Sequence, residues 1–312
     1  MPTDHTLGIG LEDVRGHARA IRAMEIAAAG GHHLLLSGPA GSGKTLLARR
    51  MTSILPALTH LEAMEVTRIR SAAGLGDGLA EDRPFRAPHH SISSAGLVGG
   101  GPGLAPGEIT LAHHGVLFLD EVAEFSRASI EALRSPLETG YITLVRADRA
   151  ARYPARALLI AATTGCACGR REACSCTEAD HVRFRRRLNG PLMDRIDITV
   201  DLDPVTADEI AAPPVTSSSS VRARVTAARV YRATRERSTV GDPEIAADVV
   251  ARLRDARSTG ALSGRGQARA LRVARTIADL VGTPAITASH VEEALALTQH
   301  PLRYARNEGL VA

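Results

Sequence analysis

The sequence predicts an α/β fold with a mostly parallel sheet, followed by an all-helical domain. From about residue 8 to residue 204, short apolar runs alternate with segments of helical periodicity, which is the pattern of strands joined by crossover helices. Beyond residue 220, apolar residues recur at helical spacing only. Four runs in the first part are predicted strands: residues 33–37, 115–119, 157–162 and 197–200.

The composition of two segments predicts how the chain is divided. Residues 74–107 are rich in Gly, Pro, Ser and His, and are predicted to form a loop or an irregular insertion. Residues 211–220 contain two prolines and four consecutive serines, which are typical of a linker. The chain is therefore predicted to divide into an α/β core over residues 1–210 and a helical domain over residues 221–312. Helices of this second domain are expected at 221–234, 244–256, 267–280 and 288–299.

The overall composition argues against several classes of protein. The 312 residues contain no run of about eighteen uncharged apolar residues, so no membrane span is expected. The N-terminus lacks the basic and apolar regions of a signal peptide, and the four cysteines are too crowded for a disulfide framework, so we expect a cytoplasmic protein. Aromatic residues make up only 3% of the chain, which disfavours stacking of single-stranded bases. The net charge of +4 permits contact with nucleic acid without indicating it.

A phosphate-binding motif lies between the first predicted strand and a helix that runs toward Pro56. Its sequence fits G-x-x-x-x-G-K-[ST], and its lysine, Lys44, is the only lysine of the chain. The glycines let backbone N–H groups surround the phosphates, Lys44 is expected to reach the β- and γ-phosphates, and Thr45 is expected to ligate Mg²⁺. The nucleotide-binding residues of the motif are Gly38, Pro39, Ala40, Gly41, Ser42, Gly43, Lys44 and Thr45.

A second motif completes a magnesium and hydrolysis site. The apolar run 116–119 ends in two carboxylates, Asp120 and Glu121, about seventy-five residues after the phosphate-binding motif. Asp120 is expected to hold Mg²⁺, with Thr45, and Glu121 to orient and polarise the attacking water. The two motifs together predict a P-loop NTPase core that binds ATP with Mg²⁺.

Several further stretches carry a family resemblance. They are D-V-R-G at 13–16, A-A-A-G-G-H at 27–32, R-P-F-R-A-P-H-H at 83–90, P-G-E-I at 106–109, L-A-H-H-G-V-L-F-L-D-E at 111–121, G-P-L-M-D-R-I-D at 190–197 and L-R-V-A-R-T-I-A-D-L at 271–280. Over nearly its whole length the sequence resembles the Mg-chelatase-like AAA+ ATPases of the YifB/ComM type. The resemblance implies an AAA+ core with a C-terminal helical lid, assembled into a ring that is usually a hexamer in this family.

The resemblance also implies roles for several arginines. Arg195 resembles the arginine finger, which reaches the γ-phosphate bound by the neighbouring subunit. Arg265 resembles the second sensor of the lid, with Arg269 and Arg272 as alternatives. The segments 74–107 and 142–154 resemble the insertion in the second helix and the hairpin before the first sensor, which face the central pore. Arginines of these two segments, which we expect either to contact a phosphate backbone or to be ordinary solvated charges, are Arg83, Arg86, Arg146, Arg149 and Arg152.

The substrate of the implied motor stays open between three interpretations. The resemblance implies branch migration or unwinding of DNA in recombination. A chaperone-like ATPase that remodels a protein, as the magnesium chelatase motor subunit does, is the first alternative. The second is a nucleotide-dependent assembly factor with weak or no hydrolysis. Full members of the family also carry a Lon-protease-like domain ahead of the ATPase, which this sequence lacks, so functions of that domain are in question.

Two local features depart from the family pattern or add to it. Thr164 stands where the family has the asparagine of the first sensor, so hydrolysis is expected to be slower if the shorter hydroxyl orients the water poorly. Cys166, Cys168, Cys174 and Cys176 form C-x-C-x₅-C-x-C, which predicts either a structural Zn²⁺ site or reduced thiols in a surface loop. Three adjacent histidine pairs are expected to pack or to bond the backbone rather than to chelate a metal, and they are 32–33, 89–90 and 113–114.

Overall fold

The computed structural model describes residues 10–76, 78–101, 103–146, 149–166, 168–170, 174–188, 192–237, 247–258 and 262–298. Its strands are β1 Leu34–Ser37, β2 Phe85–Arg86, β3 Gly99–Gly100, β4 Ala105–Pro106, β5 Val116–Leu119, β6 Tyr141–Arg146, β7 Arg149–Pro154, β8 Leu158–Thr163 and β9 Ile198–Asp201. Its α-helices are α1 Ala18–Gly30, α2 Lys44–Ile54, α3 His60–Ala72, α4 Ser94–Val98, α5 Glu108–Leu111, α6 Arg127–Ala132, α7 Arg134–Thr139, α8 Glu178–Leu188, α9 Ala207–Ala211, α10 Ser218–Arg237, α11 Ala247–Ser258, α12 Gly264–Leu280 and α13 Ala288–Thr298.

The central sheet has the strand order β2-β5-β8-β1-β9, and all its described pairs are parallel. Strands β1, β5 and β8 are buried on both faces, as expected for a parallel sheet covered by helices, which is why they read as continuous apolar runs. The four predicted strands are confirmed, and so is the α/β fold class. The edge strand β2 was missed because two residues are too short to show a periodicity.

Two hydrophobic clusters cover the two faces of this sheet. Alternate residues of one strand point to opposite faces, so Leu34 and Leu36 pack against α1, α2, α10 and α12, while Leu35 packs on the other side with residues of α5 and α8. One cluster therefore joins the sheet to the C-terminal helices. The expectation of an α/β core followed by a helical region is confirmed.

Three of the four serines predicted to lie in a linker, Ser218 to Ser220, instead begin α10. The hydroxyl of Ser218 accepts a hydrogen bond from the backbone N–H of Leu11 at 2.8 Å and lies 2.8 Å from the hydroxyl of Ser53. The carboxylate of Glu12 accepts the backbone N–H of Ser218 at 2.9 Å. The linker prediction is wrong for Ser218 to Ser220, because the hydroxyl of Ser217 accepts the backbone N–H of Ser220 at 3.2 Å, as a helix N-cap does, and the polar groups of Ser218 are paired with the core. The division of the chain into domains at residues 210 and 221 stays a prediction.

The predicted hairpin and the predicted insertion contact one another. Strands β6 and β7 pair antiparallel, with Arg146 opposite Arg149, and the two residues between them lie outside the described part of the chain. The insertion is mostly irregular and contains β2, α4 and the short antiparallel pair β3–β4. The hydroxyl of Tyr153, on β7, donates to the backbone oxygen of Leu104 in the insertion at 2.9 Å. The hairpin is thereby attached to the insertion.

Within the described residues, we find no helix that is both long enough and apolar enough to cross a membrane.

Candidate active site

The phosphate loop, residues 38–45, joins the carboxyl end of β1 to the first turn of α2. A Cβ atom on Gly38 would lie 2.4 Å from the backbone oxygen of Leu202, so only glycine fits there. Gly43 precedes α2 with φ 82°, a left-handed conformation that glycine adopts without strain. The loop therefore brings the free N–H groups of a helix N-terminus to the edge of the sheet, where they can bind phosphate.

The ammonium of Lys44 is enclosed by the phosphate loop. Its Nζ donates to the backbone oxygens of Gly38 at 2.7 Å and Pro39 at 2.6 Å, and lies 3.5 Å from the hydroxyl of Ser42. The residue is only 9% exposed, and this burial lowers the pKa of Lys44. A largely buried cation held by neutral carbonyls fits an anionic ligand such as a phosphate group.

The two acidic residues of the second motif lie beside the phosphate loop. The hydroxyl of Thr45 donates to Oδ2 of Asp120 at 2.8 Å, although the two residues are 75 positions apart in sequence. Hydroxyl and carboxylate oxygens are ligands that Mg²⁺ prefers, so this pair fits the expected ion. Glu121 has φ 50° and ψ 51°, and its side chain is 60% exposed. This left-handed conformation is costly for a non-glycine residue, and such strain is typical of functional sites.

His90, in the insertion, lies beside Glu121. Its Nδ1 is 3.9 Å from a carboxylate oxygen of Glu121, and its ring packs 4.0 Å from the ring of His89 and 6.5 Å from the ring of Phe125. The expectation of packing is confirmed for this pair, but the proximity to Glu121 was missed. The only sequence signal was the position of His90 inside the motif at 83–90. The insertion therefore reaches the carboxylate expected to activate water.

The other two histidine pairs are occupied by hydrogen bonds. His33 accepts the backbone N–H of Leu159 at 3.1 Å, and burial lowers the pKa of His33 to about 4. His113 and His114 both reach one carboxylate oxygen of Glu65, at 3.0 and 2.6 Å. Neighbouring residues of a strand would point to opposite faces, but His114 lies outside the strands and has φ 58°, so its ring lies on the same side as that of His113.

Thr164 follows β8 and lies next to the phosphate loop. The backbone oxygen of the preceding Thr163 accepts the N–H of Gly38 at 3.1 Å, and that of Gly169 accepts the N–H of Ala40 at 3.4 Å. The hydroxyl of Thr164 itself donates to the backbone oxygen of Cys166 at 2.8 Å. Thr164 therefore lies beside the phosphate loop, with its hydroxyl bonded within its own loop.

The arginine expected to be the finger and the three arginines considered for the second sensor each have a partner, which is a carboxylate or a backbone oxygen. Arg195 forms an ion pair with Glu138, at the end of α7, at 2.6 Å. Arg265, at the start of α12, is 84% exposed and lies 3.3 Å from the carboxylate of Asp194. Of the alternatives, Arg269 donates to the backbone oxygen of Asp194 at 3.3 Å, and Arg272 donates to Asp197 at 2.8 Å. The exposure of Arg265 makes it the most available of the three for a ligand.

Two of the arginines expected to contact a phosphate backbone have structural partners instead. Arg83 is 8% exposed and bonds the backbone oxygens of Pro56 and His114 and the carboxylate of Glu62. Arg86 is held by both carboxylate oxygens of Glu108, at 2.6 and 2.7 Å. Arg83 is too deeply buried to contact a phosphate backbone, so that expectation is wrong for it, whereas for Arg86 it stays a prediction.

The arginines of the hairpin differ from those two. Arg146 and Arg149 are exposed near its tip. Arg152 is also exposed and stacks its guanidinium 3.7 Å from the centre of the Tyr141 ring.

His17 is a candidate site residue that the sequence did not reveal. Its Nε2 is buried and has no hydrogen-bond partner among the described residues. The same atom would lie 3.1 Å from a Cβ on Gly43, so it faces the phosphate loop. Burial lowers the pKa of His17, against the opposing effect of Glu209 and Asp203. A buried polar atom without a partner beside a nucleotide motif is a candidate ligand contact, and its one signal was its place directly after D-V-R-G.

The four cysteines lie together, as free thiols, at the far end of the loop that begins at Thr164. Their Sγ atoms are all within 4.8 Å of one another. Backbone hydrogen bonds at Arg170 and Ser175 lower the pKa of the Cys168 thiol to about 6.

Comparison with known proteins gives a family for both parts of the chain. The family model of magnesium chelatase, subunit ChlI, matches residues 10–210, and that of the ChlI C-terminal part matches residues 215–298. An uncharacterised protein of Mycobacterium tuberculosis is 44% identical over 308 residues, or 93% of this chain and 61% of the relative. The uncharacterised protein YifB of Escherichia coli is 41% identical over 94% of this chain and 62% of its own length. The competence protein ComM of Haemophilus influenzae is 40% identical over 92% of this chain and 59% of its own length. The chain thus spans about 60% of the length of these relatives.

Asp197, which directly precedes β9, connects the sheet to helix α12 of the C-terminal region. Its carboxylate is paired with His32 at 3.0 Å and accepts from Arg272 of α12 at 2.8 Å. Burial opposes its ionisation, but the His32 hydrogen bond and the charges of His32 and Arg272 hold the pKa of Asp197 at about 2. Because this pKa is depressed, the stabilisation is complete above about pH 4, the range of an unfolded aspartate, and is lost as pH falls toward 2.

We therefore expect Asp197→Asn to lower the free energy of unfolding at pH 7 by about 2 kcal/mol, as judged by denaturant unfolding. The exposed Asp82→Asn is the control, and its effect should stay within about 0.5 kcal/mol. Equal stability of the two variants at pH 7 would contradict the linking role of Asp197.

Proposed function

The chain belongs to the magnesium chelatase subunit ChlI family, and on this basis we propose that it binds Mg-ATP at the phosphate loop and hydrolyses it. The observation that carries the proposal is the 2.8 Å hydrogen bond between Thr45 and Asp120, which joins the phosphate loop to the second motif. Membership of this family implies ATP and Mg²⁺ as ligands. The buried ammonium of Lys44 adds support, because its hydrogen bonds go to the neutral backbone oxygens of Gly38 and Pro39, which phosphate oxygens can replace.

Each residue of the site has a role in this proposal. The N–H groups of residues 41–45 and Lys44 bind the β- and γ-phosphates, and Lys44 exchanges its bonds to Gly38 and Pro39 for phosphate oxygens. Thr45 and Asp120 would hold Mg²⁺, which neutralises charge on the phosphates when it is bound. Glu121, exposed beside them, accepts a proton from the attacking water. Thr164 orients this water when its hydroxyl leaves the carbonyl of Cys166.

We further propose that the sites are completed between subunits of a ring, a hexamer by resemblance. Arg195 supports this because its partner, Glu138, lies on α7 rather than in the phosphate loop. The finger would exchange this carboxylate for the γ-phosphate of a neighbouring subunit. Arg265 would act from the lid on the nucleotide of its own subunit, where its 84% exposure leaves it accessible.

We propose DNA as the substrate of the motor, with branch migration or unwinding in recombination as its task and the cytoplasm as its location. Arg146, Arg149 and Arg152 present three exposed guanidinium groups on one hairpin, which suits a phosphate backbone. The hairpin is bonded to the insertion through Tyr153, and the insertion places His90 beside Glu121. Contact with DNA at the hairpin would in this way be transmitted to the hydrolytic carboxylate. The ComM relative is named a competence protein, which is consistent with DNA.

The first test is Mg-ATP turnover by the purified chain, alone and with single-stranded, duplex and branched DNA. We expect turnover that rises with DNA and is abolished in Lys44→Ala, because that variant loses the phosphate-binding cation. The double variant Arg146→Ala/Arg149→Ala should keep basal turnover and lose the stimulation. The control Arg68→Ala/Arg254→Ala removes the same charge from exposed positions of α3 and α11, and should keep it.

The possible outcomes of this test separate the three functions. Turnover that is indifferent to every DNA would instead favour a protein substrate. Binding of ATP without any turnover would refute the proposed ATPase activity and favour an assembly factor. The hydroxyl of Thr164, which is bonded to the backbone oxygen of Cys166, would then explain the absence of hydrolysis.

Arg195 gives a test of the sites between subunits. Arg195→Ala should lower turnover at least about 100-fold with unchanged ATP affinity, because a finger acts on the transition state. Mixing Arg195→Ala with Lys44→Ala should restore part of the turnover. At some interfaces of a mixed ring, the intact phosphate loop of an Arg195→Ala subunit then lies next to the intact Arg195 of a Lys44→Ala subunit. Arg183→Ala, at an exposed position of α8, is the control and should leave turnover unchanged. Failure of the mixture to recover any activity would refute a finger acting in trans.

His17 gives a test of the nucleotide pocket. If its buried Nε2 bonds the bound nucleotide, His17→Ala should weaken ATP binding about fivefold, the value of one hydrogen bond. Titration with a fluorescent ATP analogue measures this, with the exposed His60→Ala as the control. Equal affinities of the two variants would remove His17 from the pocket.

A further inference from the structure

The four sulfur atoms of the cysteine cluster already have the spacing of a metal site. Sγ of Cys166 lies 3.4 Å from that of Cys168 and 3.7 Å from that of Cys174, and Cys168 and Cys174 are 3.5 Å apart. Cys176 completes the group, with all four within 4.8 Å of one another. Four sulfurs bound to Zn²⁺ at about 2.3 Å form a tetrahedron with edges of about 3.8 Å. The distances are far from the disulfide bond length of about 2.05 Å.

We propose that Cys166, Cys168, Cys174 and Cys176 bind one tetrahedral Zn²⁺ ion, and that this ion holds the loop of Thr164 against the phosphate loop. Four thiols gain little by gathering without a metal, because S–H groups are weak donors and sulfur is a weak acceptor. An all-sulfur tetrahedral set favours Zn²⁺ over the harder Mg²⁺, and a set that fills all four positions leaves none for a substrate. The ion is therefore structural, not hydrolytic.

A histidine that is not one of the four proposed ligands supports the zinc site. Nε2 of His181, on α8, lies 3.5 Å from Sγ of Cys174. A ring N–H beside a metal-bound thiolate stabilises the charge on sulfur, as groups next to a metal's ligands commonly do. His181 also ties the cluster to α8, whose Phe184 and Leu188 are buried in the core.

The cluster is connected to the nucleotide site through short covalent and hydrogen-bonded paths. Cys166 is two residues from Thr164, and its backbone oxygen accepts the Thr164 hydroxyl at 2.8 Å. Gly169, directly after Cys168, accepts the N–H of Ala40 in the phosphate loop at 3.4 Å. Loss of the ion would therefore remove a restraint on the loop that carries Thr164 and Gly169. This second half of the proposal, the effect on nucleotide chemistry, rests on the function proposed above.

The binding half is tested by metal content and by spectroscopy of the whole chain. Elemental analysis of the purified protein should find about one zinc per chain. Exchange for Co²⁺ should give the d–d and charge-transfer bands of a tetrahedral tetrathiolate. Cys174→Ser and Cys176→Ser should lose zinc while circular dichroism stays unchanged, whereas Glu65→Gln should keep it. This last variant is the matched control, because Glu65, His113 and His114 form the other described group with ligand spacing.

Several outcomes would overturn the binding half. Wild-type protein that holds no zinc and gives no tetrathiolate spectrum with Co²⁺ would refute it, whether or not the variants fold. Formation of disulfides in the purified chain under reducing conditions, seen as a mass loss of two hydrogens each, would do the same. Loss of zinc in Glu65→Gln alone would move the site to the histidine group.

The coupling half is tested by removing the ion reversibly. After chelation, removal of the chelator and return to buffer with Mg²⁺, turnover should be about tenfold lower or more, since a small displacement of a positioned group has large effects on rate, and added Zn²⁺ should restore it. The affinity for a fluorescent ATP analogue is the second readout, so that a chain without turnover still gives a result. Unchanged turnover and unchanged affinity after complete removal of zinc would refute the coupling and leave the metal site intact. Absence of turnover in every sample would refute the proposed ATPase, not the metal site.

Discussion

The hydrogen-bonded register of β5, β8 and β1 determines where the candidate site residues of this protein lie. Leu119 is opposite Ala161, and Ser37 is opposite Thr163, so the three parallel strands end at the same edge of the sheet. Since each strand is buried on both faces, sliding one of them by a residue would turn every side chain to the opposite face and disrupt the packing of both hydrophobic clusters. The phosphate loop, Asp120 and Thr164 follow these ends directly. Their mutual placement is therefore set first by the core, and the hydrogen bond between Thr45 and Asp120 adds to it.

The lid depends on the same sheet through charged side chains. Asp197 directly precedes β9 and bonds Arg272 of α12, while the buried Asp279 of the same helix binds Arg235 of α10 and Arg275. Partly buried ion pairs of this kind add little net stability, but breaking one leaves an uncompensated charge. The Asp197 pair connects α12 to the sheet, and the Asp279 pair connects α12 to α10. The start of α12, and with it Arg265, is thereby directed toward Asp194 and the region of Arg195.

Apolar pattern and motif spacing predicted the central strands, the phosphate loop and the proximity of Thr45 to Asp120, because burial on both faces and strand order suffice for them. They did not predict the partners of Arg83, since a sequence does not show which carbonyls surround a guanidinium. They missed the common orientation of His113 and His114, which requires the left-handed backbone of His114. Ser218 was assigned to a linker from composition, although its partners lie more than 150 residues away. The sequence thus predicted the positions of residues that depend on local pattern. It did not predict the positions of residues that depend on tertiary contacts.

The enclosure of Lys44 has a practical consequence for chemistry on this protein. The chain has one lysine, and its amine lies inside the phosphate loop against two backbone carbonyls. An acylating reagent therefore finds a single side-chain amine, and the buried, hydrogen-bonded nitrogen is a poor nucleophile until the loop opens. Covalent labelling at this one nitrogen would act as a direct gauge of loop opening. It would do so without the background that scattered surface lysines produce in most proteins.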